Sequence, residues 1–463
     1  MSRLKCVNIG AQLMLLLVLL KMLTVINVAA LDFRHHNQRD IENIMRNLTI
    51  EFPHLTDMYS IGKSVRGADL WVIVVGVNAS QHHPLIPNVK LVANMHGNEV
   101  VGRELVLHLA EHLLLEYGKN ESLTRFLNTT HVHIMPTMNP DGYEMSVEGS
   151  CDGLIGRANA LGYDLNRNFP DELSKFADPE QKETHLVRDW LHSTHFVLSV
   201  NLHGGALVVN YPFDSFPGVN SRRYSKSPDD DVFRQLSLIY SRTHPTMHLG
   251  SSCGDSFEDG ITNGADWYPV YGGMQDYLYK NASGYQVLVE LSCCKYPRAQ
   301  MLRGFWERHR DALINLMFAV HMGVKGLIFG QSQYSDSLFL PLEGATVMVK
   351  GRESIQFKST KYGEYFKLLL PGEYVLLVRH PCYVPVEIPF EVQGSAVTRL
   401  DVRLFSSDCF QSPAAMATAT VKLEDIPSSE SWHQRNGKES CMRLKNTVLV
   451  HLLCSVVIAM LFL

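Results

Sequence analysis

Short apolar runs alternate with longer stretches of helical spacing through the first two thirds of this 463-residue chain. Residues 70–75, 90–93, 131–135, 196–202 and 287–291 are brief, continuous and rich in β-branched side chains. That pattern predicts strands of a sheet buried on both faces. Residues 105–117 and 302–321 carry apolar positions at helical spacing and read as covering helices. Strand and helix alternating over residues 31–323 predict one large α/β domain.

The pattern changes after Lys325. No helical periodicity runs through 326–404. Short β-rich runs at 345–349, 365–370, 374–378 and 397–404 are separated by turn residues, most clearly Tyr362-Gly363-Glu364 and Pro371-Gly372. Residues 324–405 therefore predict a small all-β sandwich. Residues 406–446 are rich in Ser, Ala, Thr and charge and read as a flexible stalk and spacer.

Both ends carry the marks of export. Arg3 and Lys5 precede an apolar run, and Val28-Ala29-Ala30 offers small residues for cleavage. Residues 1–30 thus read as a signal peptide, with Leu31 as the mature start. The apolar tail, 447–463, follows a polar spacer and has no basic cluster after it. It fits a GPI-attachment signal better than a membrane span, with Asn436 or Ser440 as the attachment residue. Of nine cysteines, Cys151, Cys253, Cys293, Cys294, Cys382 and Cys409 lie outside the terminal signals. Cys293 and Cys294 follow a strand and should face opposite ways. They are expected to pair with Cys151 and Cys253 in some order, leaving Cys382 for Cys409. Sequons at Asn47, Asn78, Asn120, Asn128 and Asn281 are glycan acceptors on an exported chain. The net charge of −5 gives no reason to expect nucleic acid as a partner.

The chemistry begins at Asn94-Met95-His96-Gly97-Asn98-Glu99, just past the run 90–93. His96 and Glu99, two residues apart in a turn at a strand end, can face one point. They supply a nitrogen and a carboxylate, ligand types of a catalytic zinc. His108 and Glu111 repeat the spacing inside a helix, where exposure on the helix surface explains them. A third ligand should come from another strand end. His203, ending the run 196–202 ahead of two glycines, fits; alone it would read as a hydrogen-bonded histidine. Glu290 sits inside a strongly apolar run. A buried carboxylate there must meet a cation or serve as a base of raised pKa.

Together these segments resemble the zinc metallocarboxypeptidases of the regulatory N/E subfamily. Met138-Asn139-Pro140-Asp141-Gly142, Asp164-Leu165-Asn166-Arg167-Asn168-Phe169, Asn201-Leu202-His203-Gly204-Gly205, Gly272-Gly273-Met274-Gln275-Asp276 and Glu290-Leu291-Ser292-Cys293-Cys294 extend the likeness in family order. The resemblance implies a mixed sheet flanked by helices, followed by a transthyretin-like sandwich. It implies one Zn2+ per chain on His96, Glu99 and His203, with Glu290 assisting attack of zinc-bound water on the last peptide bond. Arg157 would polarise the scissile carbonyl. Asn166 and Arg167 would hold the terminal carboxylate, and Tyr268 would close over the bound residue. Asp214 and Gln275 would receive the side chain of a C-terminal Arg or Lys. Without the resemblance, the arginines would read as surface ion pairs, Tyr268 as a packing residue and Asp214 as a turn residue. Asn98 stands where relatives often carry Asp, with little consequence expected. The implied protein is an enzyme anchored by GPI on the extracellular face of the plasma membrane. The alternatives are an inactive peptide-binding member of the family and a zinc acylase on a related fold.

Overall fold

The apolar runs become the centre of an eight-stranded sheet. Its strands are β1 (Thr56–Lys63), β2 (Asp69–Val75), β3 (Asn88–Ala93), β4 (His131–Met135), β5 (Phe196–His203), β6 (Leu207–Tyr211), β7 (Ile261–Asn263) and β8 (Tyr285–Leu291). Their spatial order is β1-β2-β4-β3-β5-β8-β6-β7. The central four, β4-β3-β5-β8, are parallel. Antiparallel pairing of β1 with β2, β2 with β4 and β8 with β6 makes the sheet mixed. Strands β4, β5 and β8 are buried at every residue, as their unbroken apolar sequences require. The computed structural model describes residues 30–407 except 175–177, 218–220, 333–334 and 395. The segment read as a signal peptide up to residue 29, most of the expected stalk, Cys409, the apolar tail and the attachment candidates Asn436 and Ser440 lie outside the described residues. Among the described residues, no helix is long and apolar enough to cross a membrane.

Nine α-helices accompany this sheet among the described residues: α1 (Gln38–Glu51), α2 (Val101–Glu116), α3 (Glu121–Thr129), α4 (Pro140–Met145), α5 (Lys182–Ser193), α6 (Asp230–Thr243), α7 (Gly264–Trp267), α8 (Met274–Asn281) and α9 (Leu302–Phe318). Helix α1 opens on a capping box between Asn37 and Asp40. Helix α2 starts earlier than its sequence suggested, and no capping side chain marks that start. It is buried nearly all round. The surface position expected for His108 is therefore a misreading. His108 is 3% exposed and stacks on Phe33 at 4.0 Å, since the segment before α1 covers that face of the helix.

Residues 324–405 contain only β-structure among the described residues. Val324–Ser332 pairs with Ser335–Pro341 and Glu364–Lys367, and with Thr398–Arg399 and Val402–Leu404. A second sheet orders Phe357–Lys358, Thr346–Val349, Gly372–Arg379 and Val386–Val392. Their facing side chains, among them Ile328, Val347, Tyr365, Val378 and Val402, form one core. Phe357, Phe366 and Leu368 instead join the core of the large sheet. Beside them, fully buried Asp229 accepts from Lys367 Nζ at 2.8 Å and Arg352 Nη1 at 3.0 Å. An apolar contact and a buried charge cluster thus join the two parts, and the described residues through Phe405 form one compact unit.

Candidate active site

Parallel strand ends carry the site. Glu290 of β8 pairs in register with His203 of β5, and Leu202 pairs with Ala93 of β3. The turn after β3 begins with Asn94 in the left-handed region at φ 56°. Its side-chain amide donates to the carbonyls of His96, Gly97 and Glu99 at 3.0, 2.9 and 3.2 Å. Thr137 Oγ1 in turn donates to Asn94 Oδ1 at 2.8 Å. The turn is wrapped around one amide, which holds His96 and Glu99 on the same side. Gly97 is needed for closeness: a Cβ there would lie 2.2 Å from the carbonyl carbon of Gly142. Asn139 caps α4 through Gly142 N–H and donates to the carbonyl of Arg157. The Asn139-Pro140-Asp141-Gly142 motif is therefore a brace between the ligand turn and the Arg157 loop.

His96 Nδ1 and His203 Nδ1 approach to 3.2 Å, and Glu99 Oε2 lies 3.0 and 2.8 Å from them. Among the described residues, these three form the one His, Cys, Asp or Glu group suited to a metal ion. All three are buried. Two imidazoles and a carboxylate converging on one point match the donor set of a catalytic zinc. Asp164 Oδ1 sits 2.9 Å from His96 Nε2 and fixes the far side of that ring. Arg157 donates to Asp164 Oδ2 through Nε and Nη2, and to Glu99 Oε1 through Nη1 at 3.1 Å.

Glu290 is 7% exposed, and its Oε2 has no hydrogen-bond partner. Burial, and then the charge of Glu99, push its carboxyl well above the usual range. It shares a cleft of about 180 Å³ with the three convergent residues, Arg157, Asn166, Arg167, Tyr268 and Lys295. Lys295 carries no signal in the sequence and was missed. Among the described residues, no carboxylate pairs with Arg167; its Nη1 donates only to the Asn166 carbonyl. Tyr268, 39% exposed, stands on the cleft rim.

Asp214 and Gln275 do not line this cleft; they lie buried behind it. Asp214 Oδ1 accepts from Gln275 Nε2 at 3.0 Å and Asn210 Nδ2 at 3.2 Å. Its own N–H donates to both oxygens of Asp276 at 3.1 Å. Burial pushes the Asp214 carboxyl up to about 6. Gln275 Oε1 is buried without a partner. Gly264 makes room, since a Cβ there would lie 1.8 Å from Asp214 Oδ1. Asn210 and Gly264 went unnoticed in the sequence, where nothing distinguishes them from turn residues, and Asp276 stood out only as part of the motif at 272–276.

Two disulfides frame the cleft. Cys151 joins Cys294 and Cys253 joins Cys293, which resolves the order that the sequence left open. Both loops therefore hang from the end of β8. Cys382 is also disulfide-bonded. Asn98 does more than expected: its amide donates to the Gly153 carbonyl at 3.2 Å, which an Asp could not do. All five sequon asparagines are exposed.

A family model described as zinc carboxypeptidase matches residues 41–312. The chain belongs to the zinc carboxypeptidase family and is a metallocarboxypeptidase. It is 46% identical over 386 residues to carboxypeptidase M of Mus musculus, covering 81% of this chain and 86% of that one. It is 40% identical over 405 residues to the carboxypeptidase N catalytic chain of Mus musculus, covering 81% and 87%. Carboxypeptidase D of Homo sapiens is 43% identical over 383 residues, which span 81% of this chain but 27% of that longer protein. These relatives fall in the regulatory N/E subfamily that the motifs indicate.

Proposed function

We propose that the protein removes C-terminal Arg or Lys from extracellular peptides and proteins. The observation that carries the hydrolytic part of this reading is the convergence of His96, Glu99 and His203 beside the unpartnered Oε2 of Glu290. When bound there, one zinc ion per chain supplies a Lewis acid and lowers the pKa of water. Glu290 takes a proton from the attacking water and delivers it to the leaving amine. Arg157 faces the same cleft and stabilises charge developing on the scissile carbonyl oxygen. The unpaired guanidinium of Arg167, with Asn166, holds the substrate's terminal carboxylate. Tyr268 closes over the bound residue from the rim. Asp214 and the unsatisfied Gln275 Oε1 lie behind the cleft lining, and a basic side chain that displaces the wall between would meet them as its acceptor end. Peptides differing only in their last residue test this. Arg and Lys are expected to be released far faster than Leu or Phe. Release of Phe as readily as Arg would overturn the pocket assignment and leave the zinc chemistry standing.

The apolar segment 447–463 behind its polar spacer supports GPI anchoring on the extracellular face of the plasma membrane. Phosphatidylinositol-specific phospholipase applied to intact cells is expected to release active enzyme. Activity that stays wholly with the membrane, along with an intact 447–463 segment, would point to a span instead.

A further inference from the structure

We propose that hydrolysis of the Ala30–Leu31 bond completes the fold, because the α-ammonium freed on Leu31 is the cation that Glu111 lacks. This rests on the export reading and is independent of the substrate reading. Water adds across the peptide bond under a signal-peptidase-type protease. Ala30 departs with the carboxylate, and the Leu31 nitrogen takes up a proton.

The partner is already in place. Leu31 N lies 2.7 Å from Glu111 Oε1, and the Leu31 side chain packs against the main core. Ala30 is exposed. Glu111 projects from α2, partly buried, and no Lys, Arg or His pairs with it among the described residues. Burial pushes its carboxyl up, the Leu31 N–H pulls it back, and the like charge of Glu51 on α1 adds to the rise. A backbone amide offers this carboxylate one neutral donor. An ammonium at the same atom offers three donors and a full charge.

The segment that follows is seated along α2. Phe33 stacks on His108 under Arg303 of α9, at 4.0 and 4.6 Å. His36 Nδ1 lies 2.7 Å from Glu104 Oε2, and Arg103 Nη2 donates to the His36 carbonyl at 3.0 Å. Arg103 also lies 3.8 Å over the ring of Tyr143, next to Gly142 and the ligand turn. The new terminus thus anchors a segment that braces the helix following Glu99.

N-terminal sequencing of the protein from exporting cells is expected to begin at Leu31; any other first residue overturns the proposal. Thermal melting then compares wild type with Glu111→Gln between about pH 6 and about pH 10. An ammonium that gains a partner has its pKa raised above the unfolded value of about 7.7–8.0. Its contribution is full below that value and is lost as pH rises through the folded pKa. Wild type is therefore expected to melt a few degrees higher near neutrality, with the gap closing in alkali. Asp32, Glu51, His36, His108 and Arg303 are present in both proteins, so the difference between the curves isolates the pair. A second variant, with Gly inserted between Ala30 and Leu31, moves the charge by about 3.8 Å. It is expected to melt like Glu111→Gln, and combining the two changes should lower the melting point no further. Equal melting near neutrality, a gap that does not change with pH, or additive losses would each sink the idea.

Discussion

Replacing Glu290 by Gln is expected to abolish turnover while zinc and peptide binding persist. The side chains are nearly the same size, and the site offers Oε2 no competing partner. Gln cannot take the proton from water, and loss of a general base is commonly worth about 10² to 10⁴ in rate. The contrasting variant is His203→Ala, which removes one of three convergent donors and is expected to lose stoichiometric zinc. His108→Ala should keep its zinc, although it opens a gap beneath Phe33. Metal analysis and kcat on each purified protein decide the matter. Near-normal turnover by zinc-loaded Glu290→Gln would remove Glu290 from the mechanism, and zinc loss in His108→Ala alone would move the site.

Asp214→Ala is expected to lower kcat/KM on Arg- and Lys-ended peptides by about 2–5 kcal/mol, the cost of leaving a buried charge unpaired. That is a loss of about 30-fold to several thousand-fold. Leu-ended peptides should suffer much less. Because Asp214 also accepts from Asn210 and Gln275, Asp214→Asn is the better-controlled variant. Its side-chain oxygen keeps both acceptor contacts and only the charge goes. Equal losses on Arg- and Leu-ended peptides in Asp214→Asn would mean a collapsed pocket wall rather than a lost counter-charge. The carboxyl sits at about 6 without substrate, so KM for basic ends should rise in wild type as pH falls through that value.

The central strands were legible because burial on both faces writes itself as an unbroken apolar run. Their ends were legible too, since His203 and Glu290 interrupt such runs with groups that need a partner. Strand β1 was not, because it is half-exposed and contains Gly62 at a break in register. Strand β7 is three residues long, too short to show a period. Arg157, Tyr268 and Asp214 lie outside any strong periodicity, and only the family likeness singled them out. His108 was misread because its neighbour on that face, Phe33, comes from a segment 75 residues away in the chain. Asn94 lies in the ligand segment, but its bracing role was not legible in the sequence. Its side chain works on the backbone of its own turn, and such contacts leave no mark on residue spacing.

The buried cluster at Asp229 sets an order in time. Its partners are made late: Arg352 follows 123 positions further on, and Lys367 follows 138. A ribosome adding about 5–20 residues per second needs roughly 7–30 s to reach the second of them. Through that interval the carboxylate must stay hydrated or remain without its cations, and a buried charge left without its partner costs about 3–5 kcal/mol. The sheet that carries the chemistry is therefore synthesised first and finished last. It waits for a β-sandwich that supplies none of the residues around its cleft.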